Sequence, residues 1–287
     1  MSGFIHLYAR TLCWIFLSVI KKSYKGPNPN TPTGSFSSRK HTTMRKLSKK
    51  ANLLFNALVI LIPKQTKYNY TMTVSYEGLK VVIRPFIFSE ILMVSGSWEP
   101  YVKAKLDSLL TQDDVIVDIG ANIGIYAIPY AKKVKKVIAF EPHPKTAEML
   151  EQSIRLNNLQ NVYLIKKAAG ESSFRAQYGL SVVPMNSGIT TPHKIDSTIE
   201  IETVDLDTEL ASEDRIDWIL IDVENFEVSV LNGATRTLEK HSPNIILEAD
   251  HGNVKDVKHL LENQHYRISN LYNIYYFANK IVGEVQS

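Results

Sequence analysis

The sequence predicts an α/β fold: a doubly wound, mostly parallel sheet closed by an antiparallel hairpin and preceded by a basic extension. Three observations predict it. Short apolar runs alternate five times with stretches of helical period between residues 115 and 263, the pattern of a parallel sheet with crossover helices. The first run, Val115–Val117, leads into Asp118 and a turn with two glycines four apart, Gly120 and Gly124. Strand, glycine turn and helix start in that order make the ligand-binding corner of such a sheet. Near the end, the β-like runs Tyr266–Leu271 and Ile274–Phe277 flank the turn Tyr272-Asn273, which reads as a closing hairpin.

Taken in order, Phe4–Ile20 is largely apolar but contains His6 and Arg10, and Lys21, Lys22 and Lys25 follow it. Its length is marginal for a membrane span, and no usual cleavage site follows. It reads as a weak signal anchor, an in-plane basic helix, a transit peptide, or upstream sequence with no folded role. Residues 26–43 have linker composition. Lys46–Ile62 reads as a helix stopped by Pro63. Residues 1–67 are therefore expected to form a partly disordered basic extension with candidate membrane-associating helices, and residues 68–287 the working domain. Thr71–Tyr76 and Leu79–Arg84 alternate around Glu77-Gly78 as a hairpin should. Ser89–Val94 and Trp98–Leu110 read as helices.

Beyond the glycine turn, Ile123, Ala127, Ile128 and Ala131 recur at helical spacing. Val137–Phe140 is the second strand, ending in Glu141-Pro142, and Thr146–Asn157 its helix, entered through Pro144. Val162–Ile165 is the third strand, and Ala168 lies just past its end. Between Glu171 and Val204 the helical period disappears among turn residues, where a substrate-covering hairpin is expected. Trp218–Val223 is the fourth strand, Phe226–Lys240 its helix, Ile245–Glu248 the fifth strand and Val254–Asn263 the next helix.

Composition narrows the class. An apolar content of 44% suits a globular core. The single cysteine, Cys13, excludes an internal disulfide framework and leaves the compartment open, with a reducing, cytoplasmic setting slightly favoured. No Cys/His cluster has zinc spacing, so no metal is expected. The net charge of +4 hides a split. Residues 1–76 hold twelve Lys or Arg and no Asp or Glu, leaving a net −8 on residues 77–287. An acidic working domain argues against nucleic acid as its substrate, whereas the basic end suits peripheral contact with a membrane.

The corner suggests its ligand. Glu141 lies 21 residues beyond Gly120, where a strand-end carboxylate accepts ribose hydroxyls. That much fits NAD or S-adenosylmethionine. The pyrophosphate version, however, wants G-x-G-x-x-G, and this loop reads Gly-Ala-Asn-Ile-Gly. Asp118, just before the turn, would repel a pyrophosphate and tolerate a cationic ligand. The balance favours S-adenosylmethionine, with Gly120, Asn122 and Gly124 as its loop.

Several motifs in order carry a wider resemblance. Asp118-Ile-Gly-Ala-Asn-Ile-Gly124, Phe140-Glu141-Pro142, Thr203-Val-Asp205, Ile221-Asp-Val-Glu224, Glu227, Val230-Leu-Asn-Gly-Ala234 and Glu248 together resemble the FkbM family of methyltransferases, over roughly residues 77–280. The resemblance implies a class I S-adenosylmethionine-dependent methyltransferase fold, acting on hydroxyls of sugars, glycolipids or polyketides. Asn225 stands where the family usually has glycine. Asparagine is the residue after glycine that best tolerates positive φ, so the turn is expected to survive.

In that reading Asp118 lies near the amino end of the cofactor's methionine part, and the backbone at Ala168 reads the adenine edge. Asp222 belongs with the cofactor-binding residues, beside the transferable methyl. Glu224, Glu248 and His251 are the candidate general bases, since a hydroxyl nucleophile must lose its proton. Glu227 is expected to be structural. Trp98, Glu99 and Tyr101 are candidates for the acceptor side, and His143 and His193 stay unassigned. The acceptor is expected to be a small molecule, glycan or glycolipid. A cofactor binder without transfer activity and a nicotinamide oxidoreductase are the alternatives.

Overall fold

The computed structural model describes residues 2–23, 66, 69–180, 197–250 and 252–281. The chain divides into two compact units, one built from Met1–Pro100 and one beginning at Tyr101. The expected helix over 46–62 lies outside the described residues.

In the first unit, α1 (Ser2–Ser23) precedes the hairpin of β1 (Met72–Tyr76) and β2 (Leu79–Ile83), and α2 (Phe88–Val94) follows. The hairpin turns at Glu77 (φ 50°) and Gly78 (φ 78°). Two successive left-handed residues give the turn whose twist matches the flanking strands. Ala9, Leu12, Cys13 and Phe16 are buried along α1, and Phe16 meets Phe88 of α2 edge-on at 6.1 Å. Behind the hairpin, Arg84 and Glu90 form a fully buried ion pair. Glu90 accepts from the Arg84 backbone N–H and from Nε, each at 2.6 Å. Burial pushes the Glu90 carboxyl up, and the Arg84 charge only partly offsets this.

The second unit runs from α3 (Pro100–Leu109) through β3 (Val115–Ile119), α4 (Ala127–Tyr130), β4 (Lys136–Phe140), α5 (Pro144–Leu156) and β5 (Val162–Ile165). A side branch follows: β6 (Ala168–Ala169), β7 (Phe174–Leu180) and β8 (Ser197–Val204). The chain then returns through α6 (Leu206–Glu209), β9 (Trp218–Ile221), α7 (Glu227–Asn232), α8 (Thr235–His241), β10 (Asn244–Glu248) and α9 (Val254–Asn263). It closes with β11 (Tyr266–Tyr272) and β12 (Tyr275–Lys280).

Seven strands form one sheet in the order β11-β12-β10-β9-β3-β4-β5. β10, β9, β3, β4 and β5 are parallel, and β12 and β11 add an antiparallel edge. All five residues of β3 are buried. The chain leaves β3 for β4 on one side and later comes back to β9 on the other, so the order reverses beside β3 and opens a crevice there. At the opposite end of the strands, Asp114 accepts from Trp218 Nε1 at 3.1 Å and Asp217 accepts from the Val115 N–H at 2.8 Å. These carboxylates tie strand starts together and leave the strand ends for chemistry.

Four expectations need correction. The helix expected from about Ile123 begins only at Ala127. Pro129 has no N–H and belongs in a first helical turn, which forces the late start. The helix expected over 226–240 is two helices, broken at Gly233-Ala234. A Cβ at Gly233 would lie 1.9 Å from the Gly170 carbonyl oxygen, so the loop after β6 crosses the helix there. Asp207 then caps α8 from another element, accepting from the N–H groups of Arg236 at 2.9 Å and Thr237 at 2.7 Å. The last hairpin turns at Asn273-Ile274, one residue later than expected. A register shift between Asn270 and Tyr272 inserts the extra residue. Ala168 belongs to a short strand of its own, paired parallel with β8 at Thr203. In the 171–204 stretch β7 and β8 pair antiparallel, from Phe174↔Thr203 to Leu180↔Ser197, and the residues that join them lie outside the described ones.

Candidate active site

The corner begins where β3 runs out. Gly120 sits at φ 86°, and its N–H and that of Ala121 both donate to the Phe140 carbonyl, at 3.0 and 2.9 Å. A Cβ at Gly120 would lie 1.9 Å from the Asp222 carbonyl oxygen, while the Asp222 N–H donates to Ile119 O at 3.0 Å. Backbone therefore meets backbone at the ends of β3 and β9, and only glycine fits. Gly124 (φ 86°) packs against the side chains of Leu150 and Ile128.

Glu141 closes the corner from β4. Its Oε2 accepts from the Asn122 N–H at 2.8 Å and its Oε1 from the His143 N–H at 2.9 Å. Asn122 itself is left-handed at φ 49°, which aims that N–H at the carboxylate. Glu141 is 6% exposed, and both of its carboxylate oxygens are engaged by backbone amides of the corner. Asp118 lies within β3, between Ala139 and Leu220, and is also buried. Successive strand residues face opposite ways, so it points away from the apolar face of Val117 and Ile119. His143 has a structural duty: its Nδ1 accepts from the Thr146 N–H at 3.3 Å and caps α5.

The neighbouring strand ends bring further carboxylates. Asp222 follows β9, Glu248 ends β10, and their carboxylate oxygens lie within 4.8 Å of each other. The Tyr275 hydroxyl donates to Glu248 Oε2 at 2.9 Å. The Ala249 N–H donates to Ile274 O at 2.8 Å, so the last hairpin turn is fastened to this edge. Tyr272, the last residue of β11 before that turn, stacks on Tyr101, with centroids 4.1 Å apart and planes at 15°. Glu224 stands on an exposed turn at φ 51°, followed by Asn225 at φ 76°. Asparagine keeps the positive φ expected of the family's glycine. Buried Glu227 holds this turn: it accepts from the Asn225 N–H at 3.1 Å and from Asn253 Nδ2, and burial pushes its carboxyl up. It is structural, as expected.

The structure thus gathers Asp118, Gly120, Asn122, Gly124, Glu141 and Asp222 at one corner, with Glu248 on the next strand end but one. Ala168 begins the side branch, and Glu224 stands out on its turn. His251 and His193 lie outside the described residues. Trp98 and Glu99 belong to the first unit. Tyr275 was missed, although a hairpin partner for the strand ending in Glu248 must set some residue opposite it.

A family model described as the methyltransferase FkbM domain matches residues 118–268, more than half of the chain. The chain belongs to the FkbM methyltransferase family. Its strand order, with an antiparallel pair at one edge, is that of a class I methyltransferase. This FkbM-family chain is 31% identical over 157 residues to hexuronic acid methyltransferase AglP of Haloferax volcanii, covering 52% of the chain and 62% of the relative. Over 75 residues it is 40% identical to a probable ribosomal RNA small subunit methyltransferase A of Methanosphaera stadtmanae, 24% of the chain and 28% of the relative. A crystal structure of methyltransferase FkbM from Methylobacillus flagellatus superposes with a TM-score of 0.45 at 17% identity, covering 79% of this chain and 60% of that one. The chain spans less than two thirds of each of these relatives. Among the described residues no helix is long and apolar enough to cross a membrane.

Proposed function

We propose that this chain transfers the methyl group of S-adenosylmethionine to a hydroxyl of a sugar, glycolipid or related metabolite, using the domain of residues 68–287. The observation that carries the reading is the Glu141 carboxylate, fixed by the Asn122 and His143 amides at the end of β4, the place where a strand-end acid meets a ribose in folds of this kind. The groups present suit that cofactor. Two buried acids, Asp118 and Glu141, stand at the corner, where they favour a ribose and an ammonium group and repel a pyrophosphate, which disfavours a nicotinamide dinucleotide.

When bound, S-adenosylmethionine supplies a methyl group activated by its sulfonium. In this reading Glu141 holds the ribose hydroxyls, Asp118 and Asp222 face the cationic methionine part, and the backbone at Ala168 reads the adenine edge. The loop Gly120-Ala-Asn-Ile-Gly124 presents its backbone closely enough to fix the cofactor's position. Positioning of two reactants accounts for much of the acceleration in a displacement of this kind. Glu248, steadied by Tyr275, and Glu224 are the described candidates for taking the acceptor's hydroxyl proton, with His251 the third.

A sugar hydroxyl as acceptor is supported by the likeness to a hexuronic acid methyltransferase. The test is transfer of radiolabelled methyl from S-adenosylmethionine to hexuronic-acid glycans, glycolipid extracts and ribosomal RNA side by side. Label in the glycan or glycolipid arm supports the reading. Label in the RNA arm alone contradicts the acceptor class. Cofactor binding with no label in any arm favours a binder without transfer activity.

A further inference from the structure

Among the described residues of the first unit, the large exposed apolar side chains lie on one side of α1. Ala9, Leu12, Cys13 and Phe16 face inward and are buried. Residues 7 and 14 are two helical turns apart, and so share the opposite side. There Leu7 is 67% exposed and Trp14 is 70% exposed, with Ile15 beside them at 41%. Arg10 and Thr11 are exposed between them. Leu7 and Trp14 are thus set about 10 Å apart along one edge of the helix, with the exposed Arg10 between them in sequence.

This arrangement fits a surface apolar within and polar at its boundary. Tryptophan suits that boundary because its ring is apolar and its indole N–H is not. Spanning is excluded for α1: it is not apolar enough to cross a membrane, and its other side is committed to the unit's own core. A helix with one such stripe lies in the interface plane instead.

Charge selects the occupant. Residues 1–76 carry twelve basic and no acidic residues. A second copy would bring like charge against like charge, whereas anionic headgroups complement it and attract each basic residue near their surface. We propose that α1 lies in the plane of an anionic lipid surface, seated by Leu7, Trp14 and Ile15 and oriented by Arg10. The catalytic unit would then work next to a membrane rather than in bulk solution.

The experiment is co-sedimentation of the full chain with vesicles of phosphatidylcholine alone and of phosphatidylcholine mixed with phosphatidylserine. The wild type is expected to partition strongly onto the mixed vesicles, weakly onto the neutral ones, and less as salt is raised. The double variant Leu7→Gln/Trp14→Gln, altered only at exposed positions, should lose about tenfold in partitioning with its circular dichroism unchanged. Arg10→Gln should lose several-fold, since it removes one basic residue. Equal partitioning of the wild type and the double variant overturns the proposal, as does equal binding to both vesicle types. A concentration-dependent dimer in sedimentation velocity that the double variant abolishes would identify a second copy as the occupant and overturn it too.

Discussion

Gly120→Ala probes the corner most sharply, because two separate costs fall on one methyl group. Gly120 sits at φ 86°, where an L side chain costs roughly 1–2 kcal/mol. The added Cβ would also lie 1.9 Å from the Asp222 carbonyl oxygen. No side chain can rotate to relieve that contact, because the obstacle is backbone joined to β3 through the Asp222 N–H and Ile119 O. The ends of β3 and β9 must separate, which adds about 1–3 kcal/mol, for a total near 3 kcal/mol. Gly124→Ala is the matched control. It has the same φ, but its Cβ meets Leu150 Cδ1 at 2.5 Å and Ile128 Cγ1 at 2.8 Å, and these flexible ends can shift. Its cost should stay at about 2 kcal/mol. Urea denaturation of both variants against wild type gives the comparison. S-adenosylhomocysteine binding should fall more steeply for Gly120→Ala. A Gly120→Ala variant no less stable than Gly124→Ala would refute the backbone-contact reasoning.

Other expectations follow from the same geometry. Arg84→Met leaves Glu90 buried without its cation and should cost about 3–5 kcal/mol, while Arg84→Met/Glu90→Leu should recover most of that in urea denaturation. In the single variant the Glu90 pKa, already raised by burial, rises further. The folded state then holds a proton that the unfolded state has released, so stability should fall as pH rises from the ordinary carboxylate range towards the folded pKa. Asn225→Gly keeps the left-handed turn at φ 76° and should change stability by less than about 1 kcal/mol, whereas Asn225→Val should cost about 1–2 kcal/mol in thermal denaturation. Tyr275→Phe removes the donor to Glu248, worth about 1.5–3 kcal/mol for a charged acceptor. Methyl transfer to whichever acceptor is labelled should then drop roughly tenfold or more, with the S-adenosylhomocysteine Kd unchanged.

Local patterns were the legible ones. Val115 to Gly124 and Glu141 announce the corner because strand, turn and carboxylate follow closely along the chain. Glu77-Gly78 announces its hairpin, and Val254–Asn263 has the bounds read from its period. What escaped depends on partners distant in sequence. Nothing near Gly233 says that the Gly170 carbonyl will press on it, or that Asp207 will cap the helix beyond it. Tyr275 reaches Glu248 through a pairing set by the irregularity at Asn270–Tyr272, which alternation alone does not reveal. The Arg84–Glu90 pair was missed because burial of both charges is a property of the packed unit. Pro129 is the exception: its missing N–H was a local sign that the helix after the glycine turn starts late.

The most direct measurement of the central claim is S-adenosylhomocysteine binding by calorimetry on the wild type and on Glu141→Ala. Removing the carboxylate takes away the proposed acceptor for the ribose and releases the Asn122 and His143 amides. Each lost bond to a charged group is worth about 1.5–3 kcal/mol, so a saturable wild-type isotherm should weaken by about a hundredfold or vanish in the variant. No binding by the folded wild type, or equal binding by both proteins, would contradict the account.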